Sequence, residues 1–124
     1  MISDYLFNHI RVRFSDKSFD VQRCANELNF SKSYLREIVH STFKTSPQKL
    51  IETIRLEAAI KILYKNNATI YSVCAAVGYV NQKTFRGAFR RRLNISPCEL
   101  KEKFNNSLNS QKVCEAYINS LWDF

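Results

Sequence analysis

Apolar and small positions along this chain fall into one pattern that is written twice. Laying Asp20 to Pro47 over Thr69 to Pro97 brings Ala25 onto Cys74, Leu28 onto Val77 and Phe30 onto Tyr79. After one extra residue in the second copy, Leu35 meets Phe85, Ile38 meets Ala88, Val39 meets Phe89 and Phe43 meets Leu93, and the pair Ser46 and Pro47 coincides with Ser96 and Pro97. Self-similarity of this kind marks a repeated structural unit. In each copy a small residue is followed by a turn residue, Asn29 or Gly78, and then by a stretch with apolar residues at three and four spacings. That order spells two short helices packed at a steep angle, a helix-turn-helix.

The boundaries are written in capping residues. Asp20 and Thr69 are placed to accept the free amide protons of a first helical turn. Ser46 and Ser96 each precede a proline, a cap followed by a first helical residue with no amide proton to satisfy. Glu99 completes a capping box with Ser96, whereas Lys49 stands at the corresponding place after Ser46. From Pro47 to about Lys65 one helix is predicted, with Leu50, Ile54, Ala58 and Ile62 on one stripe and Ile51, Leu56, Ala59 and Leu63 widening it. At 1.5 Å per residue it spans about 28 Å and forms a strut between the motifs. A further helix over Ile2 to Arg13 offers Tyr5, Leu6, His9, Ile10 and Val12 to an apolar face.

With only two glycines and two prolines, turn signals are few and no strand is predicted. The expected fold class is therefore all-α: two helix-turn-helix subdomains, residues 1–46 and 67–104, joined by a linker helix over 47–66. Residues 105–124 form a C-terminal tail. Its stretch from Asn105 to Gln111 is polar and reads as loose, while Val113, Ala116, Tyr117, Ser120, Leu121 and Phe124 recur at helical spacing beside Trp122. The tail is expected either to pack back on the second motif or to offer a patch to a partner such as RNA polymerase or a second copy.

An apolar content of 45% over 124 residues supports one compact unit or two very small ones, and a large catalytic fold is not expected. Charge sharpens the picture. The chain carries +8, and between Glu57 and Glu99 stand Lys61, Lys65, Lys83, Arg86, Arg90, Arg91 and Arg92 with no acidic residue. A phosphate polymer is the partner that such a surface suits. No paired carboxylates, nucleophile with base or phosphate loop is visible, so no catalytic residue is assigned and an enzyme is not expected. Cys24, Cys74, Cys98 and Cys114 lack metal-ligand spacing, and His9 and His40 are the only histidines, so neither a metal nor a cofactor is expected. The cysteines read as buried free thiols of a cytoplasmic protein. Val73 to Val80, the longest apolar run, is too short to cross a bilayer.

The second helix of each motif is where base sequence would be read. Ser33, Arg36, Glu37 and His40 lie on the solvent face of the first, and Lys83, Arg86, Gly87 and Arg90 on that of the second, with Gln82 one residue earlier. Arginine bonds guanine bidentately, glutamine bonds adenine, and lysine bonds guanine or phosphate, so Arg36, Gln82, Lys83 and Arg86 lead the base-contact candidates, with Ser33 and Glu37 beside them. Glu37 is repelled by phosphate unless it accepts from a cytosine amino group or pairs with Arg36. Lys32, His40, Arg90, Arg91 and Arg92 are assigned to phosphates. Gly87 costs its helix up to about 1 kcal/mol relative to alanine, and close approach of another backbone is the expected reason for it.

These residues also carry a family resemblance. Over Phe19 to Lys101 the chain resembles the DNA-binding domain of the AraC/XylS family of bacterial transcription regulators. The resemblance rests on Asn29, Phe30, Ser31, Lys32, Ser33, Tyr34 and Leu35, then Ser46 and Pro47, then Arg55, Leu56, Glu57, Ala58, Ala59 and Leu63. It continues through Ile70, Val77, Gly78, Tyr79, Phe85, Phe89 and Arg90 to Ser96 and Pro97. What it implies is a seven-helix, two-motif binder of double-stranded promoter DNA that acts as an activator by recruiting or repositioning RNA polymerase on the bacterial nucleoid. The family usually has glycine where Asn29, Lys44 and Asn94 stand, an aromatic residue at Val39 and a base at His40, so the first motif departs most from the pattern.

Consecutive major-groove faces on one side of B-DNA lie roughly 34 Å apart, so motifs at the two ends of one helix can enter adjacent turns without a second subunit or a palindromic target. No small-molecule effector site is expected in the stretch before Phe19, and the chain reads either as a short regulator or as part of a longer one. The alternative function is a small antagonist of the same fold that binds a related regulator or polymerase, suggested by Glu37 and the apolar tail.

Overall fold

The computed structural model describes residues 1–124 and contains eight helices and no strand. Helix α1 spans Ile2–Arg13, α2 Val21–Leu28, α3 Lys32–Phe43 and α4 Pro47–Lys65; α5 spans Ile70–Ala76, α6 Gln82–Leu93, α7 Pro97–Asn106 and α8 Ser110–Leu121. The repeat extends to the caps. Asp20 accepts from the Arg23 amide and Thr69 from that of Ser72, opening α2 and α5. Ser31 and Asn81 open α3 and α6 in the same way, and Ser46 and Ser96 open α4 and α7. At Ser96 the box closes, the Ser96 amide donating to Glu99 at 3.0 Å and the Glu99 amide to Ser96 Oγ at 3.1 Å.

Left-handed backbone marks where helices stop. Asn29, Lys44 and Asn94 have φ near +60°, and Gly78 has φ +91°. The three non-glycine positions are those where the sequence departs from the glycine of the AraC/XylS pattern, so side chains here occupy a conformation that usually favours glycine. At Gly78 the demand is absolute. A Cβ there would lie 2.4 Å from the Phe14 carbonyl oxygen.

Two cores form and α4 feeds both. Leu50, Ile51 and Ile54 pack with Leu6, Ile10, Phe19, Leu28, Leu35 and Val39; Leu56, Ala59, Ile60 and Leu63 pack with Val73, Phe85, Phe89, Leu100 and Leu121. A strut that turns one stretch of apolar residues to each motif is buried nearly all round, which is why no single apolar stripe describes it. Arg55 ties the halves together. It donates to the carbonyls of Phe14 (2.9 Å), Asp16 (3.3 Å) and Phe19 (2.8 Å) and stands over the Tyr79 ring.

Three expectations are corrected. On α1 only Leu6 and Ile10 are fully buried, while Tyr5 and Val12 are exposed. At 100° per residue Val12 lies 120° round from Leu6, and Phe7 takes the inner position instead, stacked on Phe43 at 5.5 Å. The tail is not loose from Asn105 to Gln111: α7 runs to Asn106, and α8 begins at Ser110 with Asn109 as its cap. Its Cys114 and Leu121 enter the second core, so it packs back rather than presenting its apolar face. Finally, Cys24, Cys74 and Cys114 are buried but Cys98 is exposed. No helix is long and apolar enough to cross a membrane.

Candidate nucleic-acid interface

The outward faces of α3 and α6 are built by the same rule. Leu35, Ile38 and Val39 anchor α3, and Phe85, Ala88 and Phe89 anchor α6, all buried, which turns the intervening positions to solvent. Ser33, Arg36, Glu37 and His40 are exposed on α3, and Lys83, Arg86 and Arg90 on α6, with Gln82 partly covered. Arg86 and Gln82 are already in contact, the guanidinium donating to the amide oxygen at 3.1 Å. This bond joins one turn of α6 and leaves four of the five guanidinium N–H groups free of it.

Between the motifs runs a cleft of about 440 Å³. Lys32, the first residue of α3, lies on one side and Thr84, in the first turn of α6, on the other; Gln22, Gln48, Glu52, Arg55 and Tyr79 complete much of its lining. The first turns of both outward helices therefore border one cleft. Gln22, Gln48 and Thr84 are polar groups beside this opening that sequence reasoning did not single out. Their position depends on how α4 sets the motifs against each other, which no local spacing encodes.

The basic run of α6 is not the unbroken surface expected from sequence. Arg90 donates to Glu99 at 2.8 Å, and this bond, with those from Ser96, holds the Glu99 carboxyl at about 2. Arg91 meets Glu52 of α4 at 2.9 Å and remains 61% exposed. Arg92 stands apart from the other phosphate candidates. Only 10% exposed, it pairs with Glu52 at 2.8 Å and donates to the Leu121 carbonyl at 2.9 Å, so its guanidinium ties α6 to α4 and α8. Burial opposes ionisation of Glu52, but the bonds from Arg91 and Arg92 outweigh it and hold the carboxyl below its ordinary range. Tyr79, which lines the cleft, is pushed up to about 12, chiefly by burial, and stays neutral.

Gly87 also differs from expectation. A Cβ there would meet nothing within 4 Å, so no backbone of this chain explains the glycine. Glu37 is exposed, and of the two partners that would offset its charge, a cytosine amino group or Arg36, the free protein does not supply Arg36 by hydrogen bond or ion pair.

A family model described as a helix-turn-helix domain matches residues 24–103. Among relatives, the raffinose operon transcriptional regulatory protein RafR of Pediococcus pentosaceus is 41% identical over 70 residues, which are 56% of this chain and 25% of RafR. The chain thus corresponds to about a quarter of that regulator's length. The C-terminal domain of AraT, a response regulator from Geobacillus stearothermophilus, superposes with a TM-score of 0.78 at 26% identity, covering 82% of this chain and 84% of that domain. The DNA-binding domain of AdpA, solved in complex with a target DNA, shares the fold with a TM-score of 0.77 at 20% identity, covering 83% and 92%. The paired motifs, their shared strut and the match over most of the chain agree: this protein belongs to the AraC-type helix-turn-helix family of transcription regulators.

Proposed function

We propose that the chain is a sequence-specific DNA-binding transcription regulator that inserts α3 and α6 into adjacent major-groove turns of promoter DNA. The observation that carries this reading is the cleft that the first turns of both helices share, lined by Lys32 and Thr84, with exposed cations on both outward faces. A strut of 19 residues, about 28 Å long, is of the right order to bridge grooves roughly 34 Å apart. AdpA's domain was solved on a target DNA, which supports the same partner for this fold.

In this reading Arg36, Gln82, Lys83 and Arg86 read base edges, with Ser33 and Glu37 at the margins of the first groove. Lys32, His40, Arg90 and Arg91 hold phosphates, and Arg90 and Arg91 exchange carboxylate partners for phosphate oxygens on binding. Glu99 and Glu52 therefore tune affinity through the cations they hold in the free protein. The chain acts in the bacterial cytoplasm on nucleoid DNA, and RNA polymerase is the protein partner it would meet at a promoter. The antagonist reading loses one of its two supports, because Cys114 and Leu121 of α8 are spent on the second core.

Selection of bound duplexes from a randomised pool tests the proposal. The expected winner is a non-palindromic site covering two major-groove turns, bound by one copy of the chain. A site of one turn, or no enrichment above salt-labile background, would contradict it.

A further inference from the structure

Trp122 occupies a position that neither motif needs for its own core. It packs partly buried against both clusters, a property it shares with Phe14 alone. Its indole meets Phe7 of α1 edge-on at 5.9 Å, and Phe7 in turn stacks on Phe43 at the end of the first outward helix. Its Nε1 donates to Glu57 of α4 at 2.9 Å. Glu57, itself only 6% exposed, also accepts from Arg11 of α1 at 3.1 Å. One residue earlier the Leu121 side chain is fully buried in the second core, and its carbonyl takes the Arg92 guanidinium of the second outward helix. Two residues later the Phe124 ring lies near both Lys49 and Arg92.

The end of α8 is thus joined to α1, α4 and α6 at once. We infer that Trp122 and the end of α8 form a clamp that fixes the two outward helices in one relative orientation and so sets which spacing between half-sites the protein accepts. This rests on the two-groove reading above. Helix α8 lies outside residues 24–103, so the clamp is a property of this chain in addition to those of the matched domain. The hydrogen bonds and ring contacts of Trp122 reach Glu57, Asn119, Phe7 and Phe124, none of them a candidate DNA-contacting residue, so it acts through Phe7 and through the chain at Leu121, as a positioning residue.

The physical consequence is specific. Two binding units on a rigid frame gain affinity only when both sites fall where the frame holds them, whereas units on a loose frame tolerate displacement but lose preorganisation. One inserted base pair moves a half-site by about 3.4 Å and turns it by about 35°. A rigid pair of motifs therefore rejects it, and a loosened pair follows it.

The test is anisotropy on duplexes carrying both selected half-sites at the selected spacing and with one base pair added or removed, plus each half-site alone. The proteins are the full chain, Trp122→Ala and Trp122→Phe, the last keeping a ring beside Phe7 while losing the bond to Glu57. For the unaltered chain each spacing change is expected to weaken binding about tenfold or more. For Trp122→Ala the penalty is expected to shrink to about threefold or less, with single half-site affinities unchanged and Trp122→Phe between the two. A wild-type spacing profile in whichever variants retain full helical content overturns the clamp. So does a uniform loss on every duplex, half-sites included, which would mean that Trp122 supports only the fold. If the unaltered chain binds the paired site no better than a single half-site, the two-groove reading fails and the clamp with it, a result distinct from an unchanged spacing profile.

Discussion

Arg90, Arg91 and Arg92 are identical in sequence and differ in what surrounds them. Arg90 leans on a carboxylate of the following helix, Arg91 on one from the strut with most of its surface in water, and Arg92 is spent inside the molecule. Local spacing marks all three as basic and outward, because the carboxylates that claim them come from 9 to 40 residues away. The capping residues, in contrast, act within one turn, and four of them were legible: Asp20, Ser46, Thr69 and Ser96 cap where the sequence places them, while the caps Ser31, Asn81 and Asn109 were not read. Lys44 shows the cost of a residue that departs from the family pattern. Held at φ 61°, it partly compensates by donating its Nζ to the Ser41 carbonyl at 2.9 Å. Left-handed backbone costs a side-chain-bearing residue about 1–2 kcal/mol, and glycine returns part of that through its freer unfolded chain. Lys44→Gly is therefore expected to raise the free energy of unfolding by about 0.5–1 kcal/mol, read from urea melts; a loss of stability would show that the lysine's own bond outweighs the strain.

Among the elements, α1 and α2 are joined by charge as well as by apolar packing. Glu27 accepts from Arg13 at 3.1 Å, from Arg23 at 3.1 Å and pairs with His9 at 2.8 Å. The bonds from Arg13 first, then those of His9 and Arg23, hold its carboxyl down at about 2 against an ordinary 4.5. A carboxyl lowered in the folded state stabilises above its unfolded pKa and loses that contribution as pH falls toward the folded one. Stability is thus expected to fall between about pH 4.5 and pH 2, with Glu27→Gln flattening this limb in thermal melts at successive pH values. An acid limb as steep in Glu27→Gln as in the unaltered chain would assign the loss to other groups. None of this hub was read from sequence, since it joins residues 4 to 18 apart across two helices whose crossing is set by packing. The strut itself was readable from end to end, because Ser46 and Pro47 start it and the apolar pattern ends near Lys65. The polar stretch after Asn105 misled, since composition there conceals the Asn109 cap and the burial of Cys114 and Leu121 beyond it.

For the whole molecule, what matters is that two repeats share one strut and border one cleft. Gly78 closes the second turn directly against the Phe14 carbonyl, Arg55 binds three carbonyls of the first half, and Trp122 reaches into both cores. The two motifs are thereby packed into a single unit rather than tethered. The repeat made two motifs legible, but their relative placement comes from contacts between residues roughly 40 to 115 apart, which no periodicity carries. On the proposed function, each motif reads its own half of one asymmetric site. The decisive measurement is binding to every single-base variant of the selected site by the unaltered chain, Arg36→Ala and Arg86→Ala. Each substitution is expected to cost about 1–3 kcal/mol and to flatten base preference in one half only, a different half for each arginine. Flattening of the same half by both, or uniform weakening with every preference retained, would contradict the account.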